Sequence, residues 1–467
     1  MKLRAMLAAA AGLLSGCVSF TPDGGFDAVG SAVRERTGRE TAWIRSDKDA
    51  DSVRARVKEL LAQPLSAESA VQIALLSNPG LQASYAELGI AESDLVQASR
   101  WSGPRLSFAR LRRGDETEIE RSVFVDFLGL IAIPLSTRAE EKRFEAARSR
   151  AAGETLRVAL EARKAWFAAV AAQQNAKYME QVKEAAEAGA ELARRMAAVG
   201  NWSKLDQARE HAFYAEATAQ LARTRHASLA AREHLIRLMG LWGGDTAFRI
   251  AERLPDLPGS VRPPEDLETQ ALAQRLDVQS ARRQTQALAE ALGLTQATRH
   301  VSLLELGLHH NSESPRPVQR GWELELRVPL FDFGGARLAR AEYQYMQSVN
   351  RTTEAVILAR SEVREAYNAY RTAFDLAKHY RDEIVPLRKK ISEEVLLRYN
   401  GMLASVFELL ADSRGSIAAV SAYIESLRGF WLAESDLQAA LTGGSPGAMG
   451  GLMKPAMVPP SRGSAEH

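Results

Sequence analysis

The chain repeats itself. Ala74-Leu75 through Leu81-Gln82 aligns with Ala271-Leu272 through Val278-Gln279, 197 residues on; Ile133-Pro134-Leu135 aligns with Val328-Pro329-Leu330, 195 on; Val199-Gly200 aligns with Asn400-Gly401, 201 on. Three landmarks in one order at nearly one offset make residues 65–253 and 265–442 two copies of a single pattern. Each copy reads as a helix, two short strands, a very long helix, a glycine turn and a second long helix. Between them lies a Pro-rich linker, 254–264, that no helix interior tolerates. At 467 residues the chain also exceeds the ~100–200 residues of one domain, so two or three units, or one long repetitive architecture, are expected.

The helices are long enough to constrain the architecture. From Ser136 to Val199 there are 64 residues without a proline, about 96 Å of helix at ~1.5 Å each. Val158, Ala162, Ala165, Ala169, Ala172 and Ala176 recur at steps of four and three, the seam of a coiled coil. Ala359, Val363, Ala366, Tyr370, Ala373 and Ala377 repeat those steps 201 residues later. Alanine seams let helices approach closely. Gln173, Gln174 and Asn175 fall between seam positions and read as a solvated, water-facing surface.

Period two marks the remaining elements. Trp322 to Val328 alternates apolar and charged, and Val301 to His309 sets Leu304, Leu306 and Leu308 against Glu305. The polar stretch His310 to Gly321, with Pro315 and Pro317, reads as a long exposed loop between them. In the first copy Arg105 to Arg110 alternates, and Ile119 to Ile133 reads as a second strand across the charged loop Arg112 to Glu118. A soluble protein can pack half-polar hairpins on a core, but four strands leave two open edges. A membrane tolerates no open edge, so four strands per chain must close with strands of other copies. Three copies give a 12-stranded barrel, apolar faces outward and charged faces lining water.

The start of the chain carries a lipid signal. Lys2 and Arg4 precede an apolar run, Ala5 to Leu14, too short to span a bilayer, so residues 1–16 read as a signal peptide. The run ends in Leu14-Ser15-Gly16-Cys17, which resembles the bacterial lipobox, and Cys17 is the only cysteine. The lipidated segment is 17–64, its cysteine the site of covalent lipid. Val18 in place of Asp favours outer-membrane delivery in lipoproteins of this kind, and with no disulfide to form, the fold must hold without covalent staples. Residues 443–467, rich in Gly, Pro, Ser and Met, read as a disordered tail.

Leu65-Ser66-Ala67-Glu68-Ser69-Ala70 with Asn78-Pro79, the junction Val328 to Arg337, and the turn Arg398-Tyr399-Asn400-Gly401 with Phe407-Glu408-Leu409-Leu410 resemble the TolC-type outer-membrane efflux factor family over about residues 65–442. The resemblance implies a mostly α, α+β membrane protein: a trimeric 12-stranded β-barrel, four strands per chain, continued by a long periplasmic helical coiled-coil barrel. It implies as partners a periplasmic adaptor, an inner-membrane pump and outer-membrane lipid. The tips that meet the adaptor match Val199, Gly200, Trp202, Tyr399, Gly401 and Met402 by position, the glycines serving as helix terminators with positive φ. Asp206, six residues after Gly200, and Glu408, seven after Gly401, match the periplasmic gate. Threefold symmetry would make each a ring of carboxylates. A second gate acid of the family is replaced by Ala411, with Asp412 next in the chain. Asp206 and Glu408 equally suit plain helix N-termini, where the dipole favours acids.

Catalytic constellations are missing. The eight histidines are scattered, and there is no H-E-x-x-H, Walker or dinucleotide glycine pattern. The 60 Lys+Arg against 58 Asp+Glu leave no basic excess for nucleic acid. His309-His310 at a strand end reads as exposed histidines before it reads as a metal site, and no cofactor is expected. The reading is an exit duct, not an enzyme, passing small molecules or metal ions through the outer membrane of a Gram-negative envelope. The alternatives are a structural coiled-coil lipoprotein and the exit component of a protein-secretion apparatus.

Overall fold

The computed structural model describes residues 19–443 apart from 302, 315 and 330. The signal peptide, Cys17 and the tail beyond Gly443 lie outside the described residues. In chain order, after α1 (Phe26–Thr37) and α2 (Asp47–Leu61), residues 65–253 contain α3 (Ala67–Ser77), α4 (Pro79–Ala98), β1 (Arg105–Arg113), β2 (Glu116–Asp126), α5 (Phe127–Ala198) and α6 (Lys204–Met239). Residues 265–442 follow with α7 (Leu267–Gln274), α8 (Leu276–Thr298), β3 (Leu303–Glu313), β4 (Gln319–Arg327), α9 (Gly335–His379), a π turn (Tyr380–Ile384), α10 (Val385–Asn400) and α11 (Val406–Thr442). The order of elements is the same in both, each opening with two helices where the sequence suggested one. No helix of the described residues is long and apolar enough to cross a membrane.

Two units divide the chain, one comprising the segments ending at Ser31, Ala83–Ala152 and Leu276–Ile357, the other Ala32–Gln82, Gly153–Arg275 and the segment from Leu358. The first holds the sheet, ordered β1-β2-β3-β4 with every pair antiparallel. Gly114, at φ 62, closes the two-residue hairpin between Arg113 and Glu116. The loop expected from His310 to Gly321 is shorter than that: β3 runs on to Glu313, and Asn311 pairs with Gln319. Strand partners on both sides supply the ladder there, whatever the polarity of the side chains. β2 ends earlier than expected, at Asp126 rather than Ile133. The apolar run after it suits strand or helix equally, and Asp126 settles it by accepting the Gly129 N–H at 2.9 Å as a helix cap.

The strand-to-helix junction explains its own motif. The Asp332 carboxylate accepts the N–H groups of Gly334 (3.0 Å) and Ala336 (3.3 Å), starting α9. Those backbone donors hold it below the usual carboxylate range. Gly334 has φ 73, and a Cβ there would collide with the Arg299 carbonyl. Arg337 donates to the carbonyls of Thr298 (3.3 Å) and Arg299 (3.1 Å), closing the end of α8.

The second unit holds the helical seams. Ala162, Ala169, Val363 and Ala377 are buried, and the two half-buried seam residues, Ala172 and Ala373, occupy matching positions. Phe430 packs against Tyr370 and Phe374, while Phe167 stacks on Trp431 at 5.0 Å. The Pro-rich linker is packed, not loose: Leu254 and Leu257 are buried. The Leu254 N–H donates to Gln174 at 3.1 Å, so this glutamine is a linker anchor where the sequence suggested a water-facing one. The Arg262 N–H donates to the Tyr370 hydroxyl at 3.2 Å.

Equivalent joints tie each short helix pair to a long helix. Asn78 accepts the Leu81 N–H (3.1 Å) to start α4 and donates to the Leu238 carbonyl (2.8 Å) in the last turn of α6. Arg275 stands in the corresponding place between α7 and α8, fully buried, 2.8 Å from Glu362 and 3.5 Å from the Ala440 carbonyl in the last turn of α11.

Candidate functional site

Two surfaces carry the residues singled out by sequence, one in each unit. On the sheet, strand alternation separates the side chains completely. Leu106, Val123, Leu308 and Trp322 stand opposite one another across all four strands, followed by the row Val125, Leu306 and Leu324 and then by Leu304 with Leu326. Leu106, Phe108, Leu308, Trp322, Leu324 and Leu326 are all more than half exposed, which no water-soluble face explains. Every acidic residue of the four strands falls on the opposite face.

That polar face is organised as a network. Arg105 pairs with Glu305 at 2.7 Å and lies over the Phe124 ring at 4.4 Å. Phe124 meets His309 edge-on at 5.5 Å. The His309 Nδ1 is 2.8 Å from Ser122 Oγ, and its Nε2 is 2.9 Å from Glu323. Both ring nitrogens therefore already have partners, and among the described residues no group of three His, Asp or Glu side chains gathers as metal ligands. Gly307 beside them has no room for a Cβ, which would press on Phe124. Sequence alone names His309 but not its partners, because they come from two other strands, β2 and β4, whose register is set only by pairing.

At the other surface two helix-to-helix turns carry the predicted tip residues. Gly200, at φ 79, ends α5: its N–H donates to the Ala197 carbonyl (3.1 Å) and the Asn201 N–H to Met196 (3.0 Å). The second turn repeats those bonds one residue later than the sequence alignment suggests. Met402 donates to Tyr399 (3.0 Å) and Leu403 to Arg398 (2.8 Å). Met402, at φ 59, holds the left-handed position, and Gly401 is an ordinary residue at φ −79, so the expected role of Gly401 as terminator passes to its neighbour. Val199, Met402 and Leu403 are prominently exposed, and Trp202 is half-buried. Tyr399 is half-buried and contributes its carbonyl to the turn.

The three acids expected at a gate have local partners. Ser203 accepts the Asp206 N–H at 3.1 Å and donates to its carboxylate at 2.6 Å. Ser405 and Glu408 form a reciprocal capping box, with N–H bonds of 3.2 Å and 3.1 Å. Asp412 accepts from Ser392 of α10, which also meets Ser416 at 2.9 Å. Among the described residues no hydrogen bond or ion pair joins the three acids to one another. Close by, buried Glu210 takes Arg414 at 2.8 Å, and that guanidinium lies over Phe213 at 4.4 Å. Glu191, near the end of α5, is drawn down to about 2 by hydrogen bonds from Arg194 and Arg195, so it stays charged across the physiological range. The sequence did not mark Glu210 or Arg414, which meet across 204 residues of chain.

Solved outer-membrane channels have a similar fold. The Campylobacter jejuni CmeC outer membrane channel superposes with a TM-score of 0.70 at 16% identity, over 81% of this chain and 86% of that one. The VceC outer membrane protein of Vibrio cholerae gives 0.67 at 16%, over 84% and 97%. The open MtrE outer membrane channel of Neisseria gonorrhoeae gives 0.65 at 16%, over 83% and 89%. No family model and no curated protein matches the sequence. The resemblance to TolC-type channels is thus met at the level of fold.

Proposed function

We propose that the protein is the outer-membrane exit duct of a tripartite efflux system. Three copies close their sheets into a 12-stranded barrel, with Cys17 lipidated and the long helices reaching into the periplasm of a Gram-negative envelope. The duct passes small molecules or metal ions delivered by an inner-membrane pump through a periplasmic adaptor, and performs no catalysis. Residues 65–253 and 265–442 are the two repeats, joined by 254–264. The observation that carries this reading is the sheet: an exposed apolar face, an acidic face and two unpaired edges, at β1 and β4, belong together only if the edges meet those of other copies in a membrane.

Gating follows from the tips. Val199, Gly200, Trp202, Tyr399, Gly401 and Met402 form the adaptor contact, and Asp206, Glu408 and Asp412 constrict the pore as threefold carboxylate rings. Because Asp206 accepts the hydroxyl of the capping Ser203 and Glu408 closes the capping box with Ser405, alanine substitutions confuse charge with folding. Asp206→Asn and Glu408→Gln remove charge and keep side-chain acceptors at the caps. The expected result is a purified trimer with small, cation-selective conductance in planar bilayers, whose selectivity falls in the Asn/Gln double variant. A chain that stays monomeric and never conducts sinks the duct, whereas conduction unchanged in the double variant moves the gate elsewhere.

A further inference from the structure

The outward face of the sheet carries charge of one sign only. Its charged residues are Arg110, Arg112, Arg121 and Arg320, with no Asp or Glu among its positions and no lysine in any of the four strands. All four sit at the hairpin end of the strands. Arg320 pairs with His310 in register, and the β2–β3 pairs on either side set Arg121 opposite that same His310. Arg110 lies one row further toward the hairpin, opposite Ile119. Beneath them, from Arg320 down to Leu326, runs about 20 Å of strand whose outward residues are Trp322, Leu324 and Leu326.

Arginines on the two faces behave differently. On the polar face Arg105 is paired with Glu305 and Arg327 with Glu325, and in the β3–β4 loop Arg316 is paired with Glu313. On the outward face Arg110, Arg121 and Arg320 are exposed and form no ion pair among the described residues, while Arg112 reaches only the Gly114 carbonyl at 3.1 Å. Like charges placed diagonally across strands repel, and alternation sends every strand carboxylate that would relieve them to the other side. Among the described residues no strand carboxylate relieves them on this face.

We propose that this arginine collar binds the phosphate groups of a phosphorylated, acylated lipid of the leaflet at the hairpin ends, its chains lying on the apolar rows below. Guanidinium forks match phosphate oxygens two at a time, which favours arginine over lysine here. A soluble anion satisfies the arginines and leaves the adjoining apolar rows bare; a nucleic acid meets the same rows at a cost. Only a ligand carrying both phosphate and acyl chains matches both. The inference rests on the proposed barrel, which makes this the lipid-facing side.

The test uses the full-length lipidated protein in nanodiscs of phosphatidylethanolamine with or without lipid A, with bound lipid A counted by native mass spectrometry. Oligomer mass and conductance are read on the same preparation. Wild type retains lipid A, and R110Q/R121Q/R320Q loses about fivefold of that affinity per arginine removed. Arg→Lys at the same positions gives intermediate retention, and E323Q/E325Q on the polar face gives wild-type retention. Equal retention by the triple Gln variant, or displacement of lipid A by inorganic phosphate alone, overturns the collar. A preparation that is trimeric and binds lipid A as stated yet never conducts overturns the duct and leaves the collar standing, whereas one that is not trimeric overturns both.

Discussion

Met402 shows how one backbone angle re-registers a turn. Matching glycines pairs Gly200 with Gly401, but the left-handed residue of the second turn is Met402. With Met402 as partner, Gly200, Ser203 and Asp206 correspond to Met402, Ser405 and Glu408 at one constant spacing. The unequal acid spacing seen in sequence therefore vanishes. The two turns fall where the sequence set them but the terminator of the second does not, because a glycine at a helix end looks the same whether or not it supplies the positive φ. The energetic consequence is asymmetric. Gly200→Ala forces a Cβ into φ 79 and should cost about 1–2 kcal/mol. Gly401→Ala, at φ −79 with its nearest neighbour 3.5 Å from the added Cβ, should be nearly neutral. Met402→Gly should stabilise its turn by about 1 kcal/mol. Amide exchange at Asn201 and Leu403 reads all three, and equal protection loss in the two alanine variants refutes the reassignment.

At the scale of elements, periodicity carried the sequence reading furthest where packing is regular. The two seams are buried as their spacing requires, down to the matching half-buried Ala172 and Ala373. It failed where a boundary depends on a partner distant in the chain. Phe127 to Ile133 is apolar enough for either state, and only the Asp126 cap and the end of strand pairing make it helix. The π turn Tyr380–Ile384 sits just before Pro386, which lacks an N–H for regular helix bonding. The first copy has no proline there and its helix runs on. The joints at Asn78 and Arg275 were equally illegible, since amide and guanidinium share no sequence signature yet reach the same final turn. Their removal should differ in size. Asn78→Ala loses a cap worth about 1 kcal/mol, whereas Arg275→Ala breaks the ion pair of a fully buried guanidinium with Glu362 and should cost about 3–5 kcal/mol. Denaturant midpoints of the detergent-solubilised variants check this, and similar losses would mean that the Arg275–Glu362 pair contributes little beyond packing.

For the whole molecule, the proposed barrel would make strand alternation couple membrane, water path and assembly in one set of residues. In β4, Trp322, Leu324 and Leu326 face one way and Glu323 and Glu325 the other, a division already visible in the sequence. What the sequence lacked was the register that lines up the rows of all four strands, because pairing between β2 and β3 joins residues nearly 200 positions apart. In the proposed trimer, neighbouring residues of this strand therefore answer to different solvents. Leu324→Arg puts a charge against hydrocarbon, at about 2–4 kcal/mol per chain near the bilayer midplane, and threefold symmetry triples it. The inserted trimer should be lost in that variant. Glu323→Gln with Glu325→Gln leaves the lipid face untouched, so trimers should insert normally, while the ratio of cation to anion permeability falls toward unity because the charge removed lines the water. That fall should shrink at high salt, where screening already mutes the ring. Trimer yield in membranes and reversal potentials in a salt gradient separate the two effects. If Leu324→Arg inserts and conducts as wild type while the glutamine pair abolishes insertion, the faces are inverted, and a barrel with its acidic side toward water is ruled out.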